Sequence, residues 1–130
     1  KGYIQNNNFA YFGSRLLKKS KVETIWIRMI YGFFFTLLIK ILFEIKIKDT
    51  QCGFKLYNAS YIKKIVSKLK SFRYVHDVEI INKLMQKKIT IIELPLKWTH
   101  IEGSKVNLLK DPIQMIVDLI KIKIRSFYKA

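Results

Sequence analysis

Apolar and polar positions fall in blocks along the 130-residue chain, and the period changes from block to block. Phe9 to Phe12 is a short apolar run of the kind a buried strand requires. From about Val22 to Ile47 the chain is mostly apolar, and Arg28, Gly32, Thr36, Lys40 and Glu44 recur every four residues. On a helix of ~3.6 residues per turn, that spacing draws one slowly rotating polar stripe. The rest of the circumference is Ile, Leu, Phe and Trp26. The segment therefore reads as one helix or a broken pair, either buried or lying in a membrane interface. Its longest uncharged run, between Arg28 and Lys40, has 11 residues and falls short of the ~20 that span a bilayer.

In DTQCGFKLY (Asp49 to Tyr57), Asp49, Thr50 and Gly53 form a loop leading into a short strand. Asn58 is placed to cap a helix running to about Lys70, with Ile62, Ile65, Val66 and Leu69 on one face. A second helix fits Asp77 to Lys87, with Asp77 and Glu79 in its favourable first turn and Ile80, Ile81, Leu84 and Met85 on its apolar face. ITIIELPLKW (Ile89 to Trp98) is strand-like, and Pro95 demotes its far half to an edge or turn. A polar loop, THIEGSK, follows. The last helix, over 109–128, is amphipathic, opened by Asp111 as cap and Pro112. Ile113, Ile116, Val117, Ile120, Ile124 and Phe127 make its apolar stripe, flanked by Lys121, Lys123, Arg125 and Lys129. The elements predict an α/β chain.

Composition narrows the picture. Half of the residues are hydrophobic, which supports a packed core. The net charge of +16 points to an anionic partner: nucleic acid, an anionic membrane surface or a phosphorylated substrate. With 21 Lys and only four Arg beside 21 Ile, a compositional bias underlies part of that charge. A single cysteine, Cys52, excludes an internal disulfide, and one Cys with two distant His residues offers no thiolate-rich zinc site. The opening KGYIQNNNFAYFGSR has no initiator Met or signal-peptide pattern and reaches a strand almost at once, so a piece of a larger fold is expected.

Four polar clusters could carry chemistry: Gly13-Ser14-Arg15, Asp49 to Lys55, Asp77-Val78-Glu79 and Gly103-Ser104-Lys105. Two are small-residue turns ending in a cation, where the backbone can approach a phosphate closely and Ser, Arg or Lys can donate to it. Each alone also reads as an ordinary solvated turn. No P-loop and no dinucleotide fingerprint is present. Asp77 and Glu79 stand two apart, so one can face a cleft while the other bonds the protein, or both can serve the helix dipole. Asp49 can equally cap a turn. Cys52 reads as a small buried hydrophobe, and His76 and His100 as structural or exposed.

The order GSR, DTQCGFKLY, HDVEI and IIELPLKWTHIEGSK resembles the C-terminal half of the dolichyl-phosphate β-glucosyltransferases, from Phe9 to Arg125. These are family-2 glycosyltransferases of GT-A fold, grouped with the polyprenyl-phosphate sugar synthases. The resemblance implies that residues 1–130 form the acceptor-side part of a GT-A domain, a mixed sheet with flanking and membrane-interface helices. It implies transfer of glucose from UDP-glucose to dolichyl or another polyprenyl phosphate, with inversion, giving a β-linked lipid-phosphate sugar. The site would lie on the cytosolic face of a membrane, the endoplasmic reticulum in a eukaryote or the inner membrane in a bacterium. Carried over, Asp77 takes the base position with Glu79 in support. Arg15 lies beside the donor pocket, Lys55 contacts a phosphate, Lys105 closes over the acceptor, and Asp49 and Ser104 join the substrate side. His76 replaces an aromatic residue of the pattern and Lys88 a glycine. No D-x-D metal motif occurs. Magnesium or manganese is therefore expected only with the N-terminal nucleotide-binding half, which would be a partner along with UDP-glucose, the lipid phosphate and the membrane. This stretch alone should not turn over. The competing reading is an inactive basic module on a membrane surface or on nucleic acid. No helix-turn-helix, zinc-finger or RRM pattern supports the nucleic-acid version.

Overall fold

Strand β1 (Phe9–Ser14) is buried along nearly its whole length because it has a neighbour on each side. The computed structural model describes residues 8–71, 73–101 and 110–128, which form a mixed α/β structure with four α-helices. β1 pairs antiparallel with the two-residue β3 (Lys55–Leu56) and parallel with β4 (Thr90–Pro95), from Phe9 opposite Thr90 to Ser14 opposite Pro95. A second parallel pair, β2 (Lys21–Glu23) with β5 (Lys97–Thr99), continues the same two chain segments past a break at Leu96. The run expected over Ile89 to Trp98 is thus two strands. The break is bridged by the Ser20 hydroxyl, which accepts from the Leu96 N–H and donates to the Ser14 carbonyl. β2 is absent from the sequence expectation because three residues of mixed polarity carry no period.

The helices close over one face of β1. α2 (Ala59–Val66) starts where expected, with the Asn58 side chain accepting from the Ser60 N–H at 2.9 Å. It ends at Val66, short of Lys70, in a tightened turn where Lys68 donates to Ile65 and Leu69 to Val66, and the freed Lys70 and Ser71 N–H groups are taken by the Glu79 carboxylate. A short 3-10 turn (Arg73–Val75) leads into α3 (His76–Gln86). At its far end, Lys88 donates to the Met85 carbonyl and Ile89 to the Leu84 carbonyl, the paired bonds of a Schellman cap. Lys88 is left-handed there, with φ 56, at a position that favours glycine. The core joins Ala10 and Phe12 of β1 with Tyr61 and Ile65 of α2 and Val78, Ile81 and Leu84 of α3.

α1 (Trp26–Phe43) is one continuous helix, and it is inside out. Thr36, Ile39 and Phe43 are its only buried residues, and Arg28 and Lys40 lie on the same side, half-buried. Trp26, Ile30, Phe33, Phe34, Leu37 and Ile41 are exposed on the other side. Arg28, Thr36 and Lys40 of the polar stripe therefore face inward, Gly32 and Glu44 are exposed, and the apolar side is uncovered among the described residues. Its 18 residues have a mean hydropathy of 1.7, long and apolar enough by length and composition to cross a membrane. Arg28 and Lys40, which limit its uncharged run to 11 residues, both lie on its inner side.

α4 (Lys110–Phe127) packs Leu119 and Ile122 into the core, while the stripe of Ile113, Ile116, Val117, Ile120, Ile124 and Phe127 is exposed. Asp111 lies in its first turn rather than at its cap, and Pro112 is tolerated there because a first-turn N–H has no helical partner to lose.

Candidate functional site

The site is built where the parallel strands β1 and β4 end. Ligands of α/β sheets gather outside such carboxyl ends, where side chains are carried past the last ladder bond. After α1, Glu44 turns the chain in a left-handed conformation (φ 56), and the next residues alternate. Ile45, Ile47 and Asp49 are buried while Lys46 and Lys48 are exposed. The same alternation that seats the two isoleucines drives the Asp49 carboxylate inward.

Asp49 is met there by Arg15, the first residue past β1. Arg15 donates from Nε to Oδ2 at 2.8 Å, from Nη2 to Oδ1 at 3.0 Å, and from its backbone N–H to Oδ2 at 2.9 Å. Burial alone would raise the Asp49 carboxyl, but these bonds and the Arg15 charge hold it below the usual carboxylate range. The bond to Asp49 likewise raises Arg15 above its ordinary value, against the opposing effect of its own burial. The guanidinium lies 5.4 Å from the Trp98 ring centroid, a cation–π contact. Glu93 fixes the loop from below, accepting from the Lys48 and Asp49 N–H groups, both at 3.0 Å.

The Asp49–Lys55 loop then crosses Gly13, whose N–H donates to the Phe54 carbonyl at 2.8 Å. A Cβ at Gly13 would run into the Leu96 side chain and come within 3.1 Å of Phe54 Cβ and 3.2 Å of Cys52 Sγ, so glycine lets the loop cross this closely without displacing those neighbours. At the end of the loop Lys55 is turned inward, 5 % exposed, donating to Asp77 Oδ2 at 2.9 Å and to the Cys52 carbonyl. Asp77 also faces His76 Nε2 at 3.4 Å. Tyr57 lies edge-on to Phe12, and burial, with the Asp77 charge second, pushes its phenol well above the ordinary tyrosine value.

One loop thus ties together two ion pairs, Arg15–Asp49 and Lys55–Asp77, drawing on four of the residues singled out from the sequence. Glu79 is not in this group. It is buried, bonded to the Lys70 and Ser71 N–H groups and 3.7 Å from Lys83. Ser104 and Lys105 lie outside the described residues. Sequence reasoning assigns no role to Glu93 or Trp98, although both stand in the E-x-P-x-x-W motif; that motif is the available signal. His76, which reads as structural or exposed from the sequence, is exposed and stands beside the site. The Ser14 hydroxyl is fully buried with no hydrogen-bond partner among the described residues, at the same strand end.

The described residues do not fit a divalent ion. No three His, Cys, Asp or Glu side chains gather among them, and the carboxylates of Asp49 and Asp77 are already engaged by cations.

No family model and no solved structure matches the chain. Several curated proteins do. Dolichyl-phosphate beta-glucosyltransferase of Saccharomyces cerevisiae is 39 % identical over 109 residues, 83 % of this chain and 31 % of the yeast protein. The human protein of that name is 38 % identical over 117 residues, 87 % of this chain and 36 % of its own length. Dolichyl-phosphate beta-glucosyltransferase ALG5D of Trichomonas vaginalis is 36 % identical over 132 aligned positions, 99 % of this chain and 39 % of that protein. The chain therefore spans between three and four tenths of these relatives' length.

Proposed function

Since this chain is related over most of its length to the dolichyl-phosphate beta-glucosyltransferases, we propose that it is the acceptor-side part of a GT-A glycosyltransferase that moves glucose from UDP-glucose to dolichyl or another polyprenyl phosphate. The observation that carries this reading is the convergence of the motif residues at one strand end. GSR, DTQCGFKLY, HDVEI and E-x-P-x-x-W come from separate elements, and Arg15, Asp49, Lys55, Asp77 and Glu93 from them meet through the Asp49–Lys55 loop, while Glu79 lies apart.

In the proposed reaction an acceptor phosphate oxygen attacks the anomeric carbon of glucose. The bond from that carbon to the UDP oxygen breaks, its electron pair leaves with UDP, and configuration inverts. A phosphomonoester is already largely ionised near neutral pH, so little proton removal is needed. Asp77, 17 % exposed, is the reachable member of its pair, and its part is to position the acceptor. Lys55 is a buried counter-ion that orients Asp77. Arg15 keeps its second terminal nitrogen without a partner among the described residues, directed by Asp49 and Trp98 for a phosphate of either substrate. Magnesium or manganese would be held by residues outside those described, and no step here is routed through it.

The exposed apolar faces of α1 and α4, with Lys121 and Lys123 beside the latter, support seating at an anionic membrane surface. Thr36, Ile39 and Phe43 are packed inward, so one side of α1 is held on the protein along its C-terminal half while the face from Trp26 to Ile41 is free to meet lipid. That favours a helix lodged in the interface over one that spans. The endoplasmic reticulum membrane, on its cytosolic face, is the location consistent with a eukaryotic source.

The test is transfer of radiolabelled glucose to dolichyl phosphate by the full-length enzyme. Asp77→Asn should lower kcat by at least ~100-fold with a smaller change in KM for UDP-glucose, as expected for a group acting mainly in the transition state. Near-full kcat in that variant would reduce Asp77 to a helix-end carboxylate. No transfer by the unaltered enzyme would overturn the reading as a whole.

A further inference from the structure

A second cationic feature lies between α4 and the segment joining α2 to α3. α4 divides its circumference three ways. Leu119 and Ile122 face the core, the Ile113–Phe127 stripe faces outward, and Gln114, Asp118, Lys121 and Arg125 share a polar face. That polar face walls an open cleft of about 430 Å³, with Lys70 and Arg73 also lining it.

The charges in the cleft do not balance. Asp118 is the one carboxylate lining it among the described residues and already accepts from Gln114 at 3.0 Å and Lys121 at 3.4 Å; Asp111 stands in the adjoining hollow with Arg73, so four cations still face two carboxylates. The Lys70 ammonium and the Arg73 and Arg125 guanidinium groups have no ion-pair partner among the described residues. Arg73 is moreover held at φ 61, a left-handed conformation that a side chain of its size rarely adopts. It opens the 3-10 turn that packs against α4, so the strain is maintained where the cleft is formed.

We propose that this cleft binds a phosphate group, in the form of a dianionic phosphomonoester. Three unpaired cations are suited to a dianion, and two are guanidinium forks that match phosphate oxygens two at a time. The volume admits the phosphate with part of whatever carries it. Two sources share this chemistry: a phosphomonoester lipid headgroup, reachable because the outward stripe of α4 borders the polar face, and a free phosphate ester. The inference goes beyond the transfer reaction and stands whether or not the Lys55–Asp77 site transfers a sugar.

The test compares the full chain, held in neutral detergent, with two double variants of equal charge loss. One is Arg73→Gln with Arg125→Gln in the cleft. The other is Lys63→Gln with Lys64→Gln on the exposed side of α2. Circular dichroism melts establish that both fold, and Arg125→Gln alone serves if the Arg73 change unfolds the turn. Calorimetric titration with glycerol 3-phosphate should show saturable binding that the cleft variant weakens at least ~10-fold and the α2 variant leaves unchanged. Flotation with phosphatidylcholine vesicles carrying phosphatidic acid, against vesicles carrying phosphatidylglycerol at matched surface charge, separates the sources. A preference for phosphatidic acid lost only in the cleft variant assigns the lipid headgroup; loss confined to glycerol 3-phosphate assigns a free ester. Equal weakening in both double variants, or no saturable binding in either format, would overturn the proposal.

Discussion

Asp49 is the residue on which the polar organisation of the strand end turns. Asp49→Asn removes the charge that engages Arg15 and leaves the half-buried guanidinium uncompensated. We expect a loss of roughly 3 kcal/mol in urea unfolding at pH 7, the low end for a broken buried pair because Arg15 keeps partial contact with water. The pH dependence has a definite sign. The folded carboxyl titrates below its ordinary 3.8, so the stabilisation is complete above that value and is lost as the pH falls through the lower, folded one. The gap between wild type and variant should therefore hold from pH 7 to about pH 5 and close in more acid solution. A gap that stayed constant down to pH 2 would mean the charge is not what Asp49 contributes. At this scale the sequence singles out Arg15, Asp49, Lys55 and Asp77, because short motifs mark them. It cannot tell which will pair, since the pairs are separated by 34 and 22 positions and are set by the loop crossing at Gly13. Nor can it separate Asp77 from Glu79, whose environments diverge only once α2 ends early and frees two N–H groups.

Among the elements, the C-terminus of α3 offers the cleanest test. Lys88 occupies the left-handed position of a Schellman cap, so Lys88→Gly should stabilise the fold by up to ~1 kcal/mol, read as a raised urea midpoint at unchanged slope. The Lys88 side chain is exposed, so no packing is lost to offset the gain. α1 offers a contrast between its two faces. Ile39→Ala should cost roughly 2–5 kcal/mol, because Ile39 is fully buried. Phe33→Ser with Phe34→Ser should change stability by no more than ~0.5 kcal/mol each, since both rings are exposed, while reducing flotation with anionic vesicles at low salt. Vesicle binding unaffected by the paired change would show that this face does not meet lipid. The four-residue polar period of α1 is legible in the sequence, and so is its helical character. Its orientation is not, because periodicity reports which residues share a face and is silent on which face the rest of the chain covers.

At the scale of the whole molecule, the α/β character and the order of the larger elements follow from periodicity and turn chemistry. The sheet does not, because its pairings join segments that no local pattern connects. β1 pairs with β4 from Phe9 opposite Thr90 onward, and β2 with β5 from Lys21 opposite Lys97. This arrangement governs how the protein can be made as well as how it holds together. During synthesis β1 emerges ahead of β4, its parallel partner, by roughly eighty residues, and closing so wide a loop must precede any reward from the ladder. The ribosome adds on the order of 5–20 residues per second, so β1 spends at least several seconds without its parallel partner. Throughout that interval the apolar segment that becomes α1 is already outside. The chain thus has its apolar helix available before its sheet can close, and if that helix meets a membrane surface as proposed, contact during translation would shield it from intermolecular association while the later strand arrives.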